Sequence, residues 1–190
     1  MTTHTRRSTL ALAGATGAAV LAGCLDTFGD AVGSDENTGD GTPGNPATSV
    51  EVRVLDMPNP AFDPPVVHVQ PVGTVQWAVE GNFHTVTSYH PDTYGPRRWP
   101  ESEEPFNSGI LRSGGDFEWT FESEGIYDYV DTRTLCAPHE TLGAVGRVIV
   151  GWPDPDQEPA CLHDEDELTG RATQVMRELD EQTREALTEN

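Results

Sequence analysis

The stretch "CAPHETLGAVG", residues 136–146, places a thiol and an imidazole three positions apart, followed by small residues that allow a tight return. Cys136 and His139 at that spacing can share one metal ion. A soft thiolate combined with imidazoles suits copper, zinc or iron. A single loop cysteine argues against a structural zinc knuckle or an iron–sulfur cluster, both of which need several thiolates. Two imidazoles and one thiolate in a trigonal set form the electron-transfer copper arrangement. The second imidazole has to come from elsewhere in the fold.

Six histidines and three cysteines are available. His4 and Cys24 belong to the N-terminal segment, and Cys161 and His163 to an acidic stretch near the C-terminus. His68, on "VVHVQ", reads as a surface or boundary residue. His84 opens the strand "HTVTSY" directly after the turn "EGNF", where a ring can face the end of a sandwich, and His90 sits at the far end of that strand. His84 is therefore the preferred partner, with Asn82 and Thr85 as candidates to orient its ring. A Cys136–Cys161 disulfide is the competing reading of the thiol in an exported chain.

The elements that must position these residues are short strands. "VEVRVLD", "VVHVQ", "TVQWAVE", "HTVTSY", "FEWTFE", "IYDYV" and "GRVIVG" alternate or run apolar between Gly, Pro and Asp turns, with no helical period among them. They predict an all-β fold, an antiparallel β-sandwich over residues 49–151. One irregular excursion, residues 90–115, is long enough to cover something or to carry function. Residues 152–190 form an acidic, Pro-broken linker and then a helix, with Leu168, Ala172, Val175, Leu179 and Ala186 on one face.

Residues 1–23 read as an export signal, with the pair Arg6-Arg7 ahead of a short Gly- and Ala-rich apolar run. "LAGC" reads as a lipobox whose Cys24 receives lipid. Residues 24–48, rich in Gly, Asp, Asn, Thr and Pro, read as a disordered acidic tether. The expected location is the outer face of the cell membrane. The formal net charge is −21, from 32 acidic and 11 basic residues, and every basic residue is Arg. Such a surface repels itself in dilute buffer and fits a very saline medium. It excludes nucleic-acid binding, which needs a basic patch.

"GNFHTVTS", "FNSGIL", "FEWTFESEGIYDY", "CAPHETLGAVG" and "RVIVG", in that order, resemble the type 1 (blue) copper proteins, and among them the plastocyanin-like halocyanins of salt-loving archaea. The resemblance covers residues 50–151. It implies a cupredoxin-like Greek-key β-sandwich that carries one type 1 copper per chain, with His84, Cys136 and His139 as equatorial ligands. It also implies a monomeric electron carrier with transient redox protein partners, docking at an apolar rim of Ala137, Leu142 and Ala144 around His139.

Two departures qualify this. The family places an axial Met eight residues after the Cys, where this chain has Ala144, a side chain that cannot ligate. The fourth position is then vacant or taken by an oxygen donor such as water or the carbonyl of Phe83. The family also has Tyr-x-Tyr-x-Cys, whereas "YDYVDTRTLC" carries an insertion of about five residues before Cys136. An oxidase or reductase role is disfavoured, because Leu135 and Ala137 flank Cys136 where a second copper needs histidine ligands. The alternative to a carrier is a cupredoxin-like interaction module that has lost copper.

Overall fold

A computed structural model describes residues 39–134, 137–162 and 168–188. The signal, Cys24, Leu135, Cys136 and His163 lie outside the described residues. Nine strands occur among those described: β1 (Ala47–Leu55), β2 (Ala61–Asp63), β3 (Val66–Val79), β4 (Phe83–His84), β5 (Thr87–Ser88), β6 (Leu111–Arg112), β7 (Asp116–Phe121), β8 (Gly125–Val130) and β9 (Val145–Val150). Two helices follow, α1 (Pro159–Leu162) and α2 (Arg171–Thr188). None of the described helices is long and apolar enough to cross a membrane.

"VVHVQ" and "TVQWAVE" are two halves of one strand. At their junction Val72 has a φ of 66°, and Gly73 sits where a Cβ would lie 2.5 Å from the Gln70 carbonyl oxygen. The break redirects the chain. Val66–Val69 pair in parallel with Arg147–Val150 of β9, and Gly73–Ala78 pair antiparallel with β7. β1 runs parallel to β3. The sheets are thus mixed, not purely antiparallel as period-two patterning alone leads one to expect; that pattern reports which face is buried and carries no strand direction.

The sandwich interior is aromatic. Trp77, Trp99, Phe106, Phe121, Tyr127 and Tyr129 pack with Val52, Val67, Val75 and Val148. The Tyr127 and Tyr129 side chains point inward from β8, so strand alternation aims the next odd position, Asp131, into the same interior at the strand's end. Tyr129 needs Gly146 opposite it, because a Cβ there would lie 2.5 Å from the phenol. Gly146 therefore serves close packing inside β9, and the left-handed turn belongs to Gly143, with φ 98°.

The outer face of β8 and β9 is covered as well. Val130, Val145 and Ile149 pack against Leu168, Ala172, Met176 and Leu179. α2 begins only at Arg171, after Gly170 at φ 62°, and its buried side is Ala172, Met176, Leu179 and Thr183. Ala186 is only partly covered, so the buried stripe runs through Met176 and Thr183 in its place. Under this helix, Asp128 accepts hydrogen bonds from Arg98 Nε at 2.8 Å and from Arg147 Nε at 2.7 Å, all three residues being fully buried. Burial opposes the charge on Arg147, but Asp128 beside it holds the guanidinium protonated. Arg98 comes from the 90–115 excursion, and with Trp99 and Phe106 it plugs that loop into the body of the domain.

His68 is fully buried, contrary to the surface position read from its strand. Its Nδ1 accepts from the Gly44 N–H at 3.1 Å, and its Nε2 lies 2.6 Å from the Gly151 carbonyl oxygen. That pairing fixes a neutral ring protonated on Nε2. Gly41 O also accepts from the His68 backbone N–H at 2.8 Å, so residues 41–44 are fastened to β3.

Candidate metal centre

His84 enters at the end of the short β4–β6 pairing, opposite Leu111, and is fully buried. Gly81 makes room for it, since a Cβ at that position would lie 2.7 Å from His84 Nε2. His139 leads into the 3-10 turn Glu140–Leu142. Its backbone N–H donates to Arg133 O at 2.8 Å, and its carbonyl accepts from Ala144 N at 3.0 Å. These bonds fold the loop back on itself. Glu140, the next residue, accepts from Tyr89 Oη at 2.7 Å and Tyr94 Oη at 2.6 Å, which anchors the loop both to the chain just after β5 and to the excursion. Burial first, and then the carboxylate, push the Tyr94 hydroxyl up to about 12 and that of Tyr89 upward as well.

The two imidazoles come together. Their centroids are 5.3 Å apart, and both Nδ1 atoms meet one oxygen: Asp131 Oδ2, 2.7 Å from His84 and 2.6 Å from His139. One donor atom from each of these three residues lies within 4.8 Å of the other two. Asp131 is held rigidly. Its Oδ1 accepts from Thr85 N at 3.0 Å, Thr85 Oγ1 at 3.2 Å and Arg133 N at 3.0 Å, and its own N–H donates to Ala144 O at 2.9 Å. Burial opposes its charge, yet the hydrogen bonds from His84, His139 and the Arg133 backbone outweigh it and hold the carboxyl below the usual carboxylate range. An ionised carboxylate only accepts, so both rings carry their proton on Nδ1. The Nε2 of His84 is then a buried acceptor without a hydrogen-bond partner.

Sequence reasoning did not single out Asp131. The signal was present: Asp131 stands two residues after Tyr129, the place that Tyr-x-Tyr-x-Cys gives to the cysteine. The orienting group for His84 is likewise Asp131 and not Asn82, whose Nδ2 donates to Asp56 at 2.7 Å; Thr85 acts through Asp131. His90 lies outside the cluster, with its Nδ1 accepting from Asp92 N. Cys136 lies outside the described residues. Ala144 is 1% exposed and packs into the sandwich interior, so it is not part of a surface rim. The Phe83 side chain is 36% exposed, with the Arg112 and Arg133 guanidinium carbons 5.0 and 5.7 Å from its ring centroid.

A cleft of about 420 Å³ opens beside the pair, lined by Asp56, Pro60, Asn82, Phe83, Ala137, His139 and Leu142. His139 is the ring that reaches it, with 13% of its side chain exposed against none for His84. Two convergent imidazoles, an anionic oxygen between them and a buried unsatisfied ring nitrogen form a donor set that fits a transition-metal cation.

The fold defined by these elements is a cupredoxin-like Greek-key β-sandwich with a C-terminal helix. A pseudoazurin from a Sinorhizobium species is similar to this chain with a TM-score of 0.55 and 20% identity, over 70% of this chain and 93% of its own. Pseudoazurins from Hyphomicrobium denitrificans (TM-score 0.54, 24% identity, 72% and 97% covered) and Methylobacterium extorquens (TM-score 0.52, 20% identity, 72% and 98% covered) are similar likewise. At these identities the likeness establishes the fold. No protein-family model matches the chain. No curated sequence matches it either.

Proposed function

We propose that this chain is an exported electron carrier that holds one copper ion between His84 and His139. The observation that carries the reading is the convergence of the two Nδ1 atoms on one buried carboxylate oxygen, Asp131 Oδ2, at the pole of a cupredoxin-like sandwich, where a bound ion would replace the two Nδ1 protons. Bound there, copper would supply a one-electron couple for exchange with redox protein partners. The chain keeps the two rings in fixed places, His84 by burial and His139 by the short turn, so that little rearranges when charge changes. His139, at the edge of the cleft, is the ring through which a transient partner is reached, and Ala137, Leu142 and Phe83 give that contact its apolar surface. Cys136, three residues before His139, is the proposed thiolate donor, with Ala144 leaving no thioether.

The remaining parts fit a carrier outside the cell. Residues 1–23 direct export, lipid on Cys24 anchors the chain to the outer membrane face, and the stretch from Cys24 up to the segment fastened to β3 holds the domain off the surface as a monomer. The acidic, Lys-free composition suits concentrated salt.

One observation favours a second reading, an interaction module without copper: the Asp131 carboxylate already satisfies the Nδ1 atom of each ring by a hydrogen bond. Copper(II) titration in concentrated salt separates the two. The carrier develops an intense thiolate-to-copper band that is lost in Cys136→Ala, whereas the module binds no stoichiometric copper.

A further inference from the structure

Asp131 is placed as a ligand would be. Its Oδ1 is fully used, by two donors on Thr85 and one on Arg133, which fixes the plane of the carboxylate. That leaves Oδ2 aimed at the gap between the two Nδ1 atoms, with nothing else bonded to it among the described residues. The strand dictates this position, since Asp131 continues the inward face of Tyr127 and Tyr129. Thr85 Oγ1 accepts in turn from Thr132 N at 2.8 Å, so the support extends to both chain segments that meet here. The carboxylate is buried and fixed against both imidazoles, where a cation that replaces the two Nδ1 protons would keep its charge paired.

We propose that Asp131 supplies an anionic oxygen donor to the ion that His84 and His139 hold. This rests on the copper reading above. The oxygen stands where the Tyr-x-Tyr-x-Cys pattern places the cysteine, and it is an oxygen donor other than the water or Phe83 carbonyl considered for the position that Ala144 leaves without a thioether. Phe83 is partly exposed, with the Arg112 and Arg133 guanidinium groups near its ring, whereas Asp131 Oδ2 is already in contact with both imidazoles. A hard anionic donor favours Cu(II) over Cu(I), so the site holds a lower potential than one with an empty fourth position. The same donor widens metal choice, because two imidazoles and a carboxylate also accept other divalent cations.

The test uses the full chain, loaded with Cu(II) in concentrated salt. The infrared difference spectrum between copper-loaded and copper-free protein is expected to show a shifted carboxylate stretch that Asp131→Asn removes. Asp131→Asn is expected to lose roughly 100-fold in Cu(II) affinity and to change the copper hyperfine splitting in EPR, with Asp131→Glu recovering part of both. A wild-type difference spectrum with no carboxylate band overturns the proposal without any variant. Lost affinity with an unmoved carboxylate band does so too, since it makes Asp131 a positioning residue. If His84→Ala and His139→Ala leave copper binding intact, the copper reading itself fails, whatever Asp131 does.

Discussion

Asp131 Oδ2 lies within 2.7 Å of His84 Nδ1 and 2.6 Å of His139 Nδ1, so one carboxylate oxygen joins two imidazoles 55 positions apart in the chain. The junction ties the β4 end of the sandwich to the loop that follows β8. Its neighbours can be tested separately from it.

Glu140 couples that loop to Tyr89, just after β5, and to Tyr94 of the excursion through their hydroxyls. Glu140→Gln exchanges two charge-assisted bonds for weaker ones and is expected to cost about 1–3 kcal/mol in denaturant unfolding. Tyr94→Phe, which removes only the more exposed partner, is expected to cost less. Equal stability of Glu140→Gln and wild type would show that the loop is held by its backbone bonds alone.

Under α2, Asp128 is the shared counter-charge of two buried guanidinium groups. Asp128→Ala leaves Arg98 and Arg147 without that counter-charge, and the expected loss is about 3–5 kcal/mol in the same assay. Arg147 also pairs with Asp180 of α2, so hydrogen exchange in α2 is expected to quicken. Unchanged protection in that helix would contradict the role assigned to the cluster.

His68 gives a pH dependence. Burial lowers its folded pKa below the usual 6.5, against a smaller upward pull from the Gly151 carbonyl. The unfolded chain therefore binds the extra proton first. The stability from His68 is complete above pH 6.5 and is lost as pH falls from there toward the folded value. Protonation would also place a hydrogen on Nδ1 against the Gly44 N–H. His68→Gln is expected to flatten the fall in Tm below pH 6.5; an identical profile in the variant would remove His68 as the cause.

A net charge of −21 makes dilute buffer the hostile condition. Tm is expected to rise steeply between dilute buffer and molar salt as repulsion is screened, then level off. A Tm independent of salt would separate the acidic composition from any benefit in brine.

Much of this architecture was legible in the residues. The strand segments were readable because alternate positions had to be buried, His84 because a ring directly after a turn can face a pole, and His139 because it stands three positions after Cys136. Strand direction was not, since period-two alternation is blind to it; β3 pairs in parallel with both β1 and β9. The buried state of His68 depended on Gly44 and Gly151, which are distant in sequence. Asp131 was passed over because one acid out of 32 looks like surface charge until the inward register of Tyr127 and Tyr129 is carried two residues further.

The most direct test of the account is a copper(II) titration of the full chain in concentrated salt, run beside His84→Ala, His139→Ala and His90→Ala. The account predicts one tightly bound ion per chain, lost in the first two variants and retained in the third. Stoichiometric binding that persists when both His84 and His139 are replaced, or that disappears with His90, would contradict it.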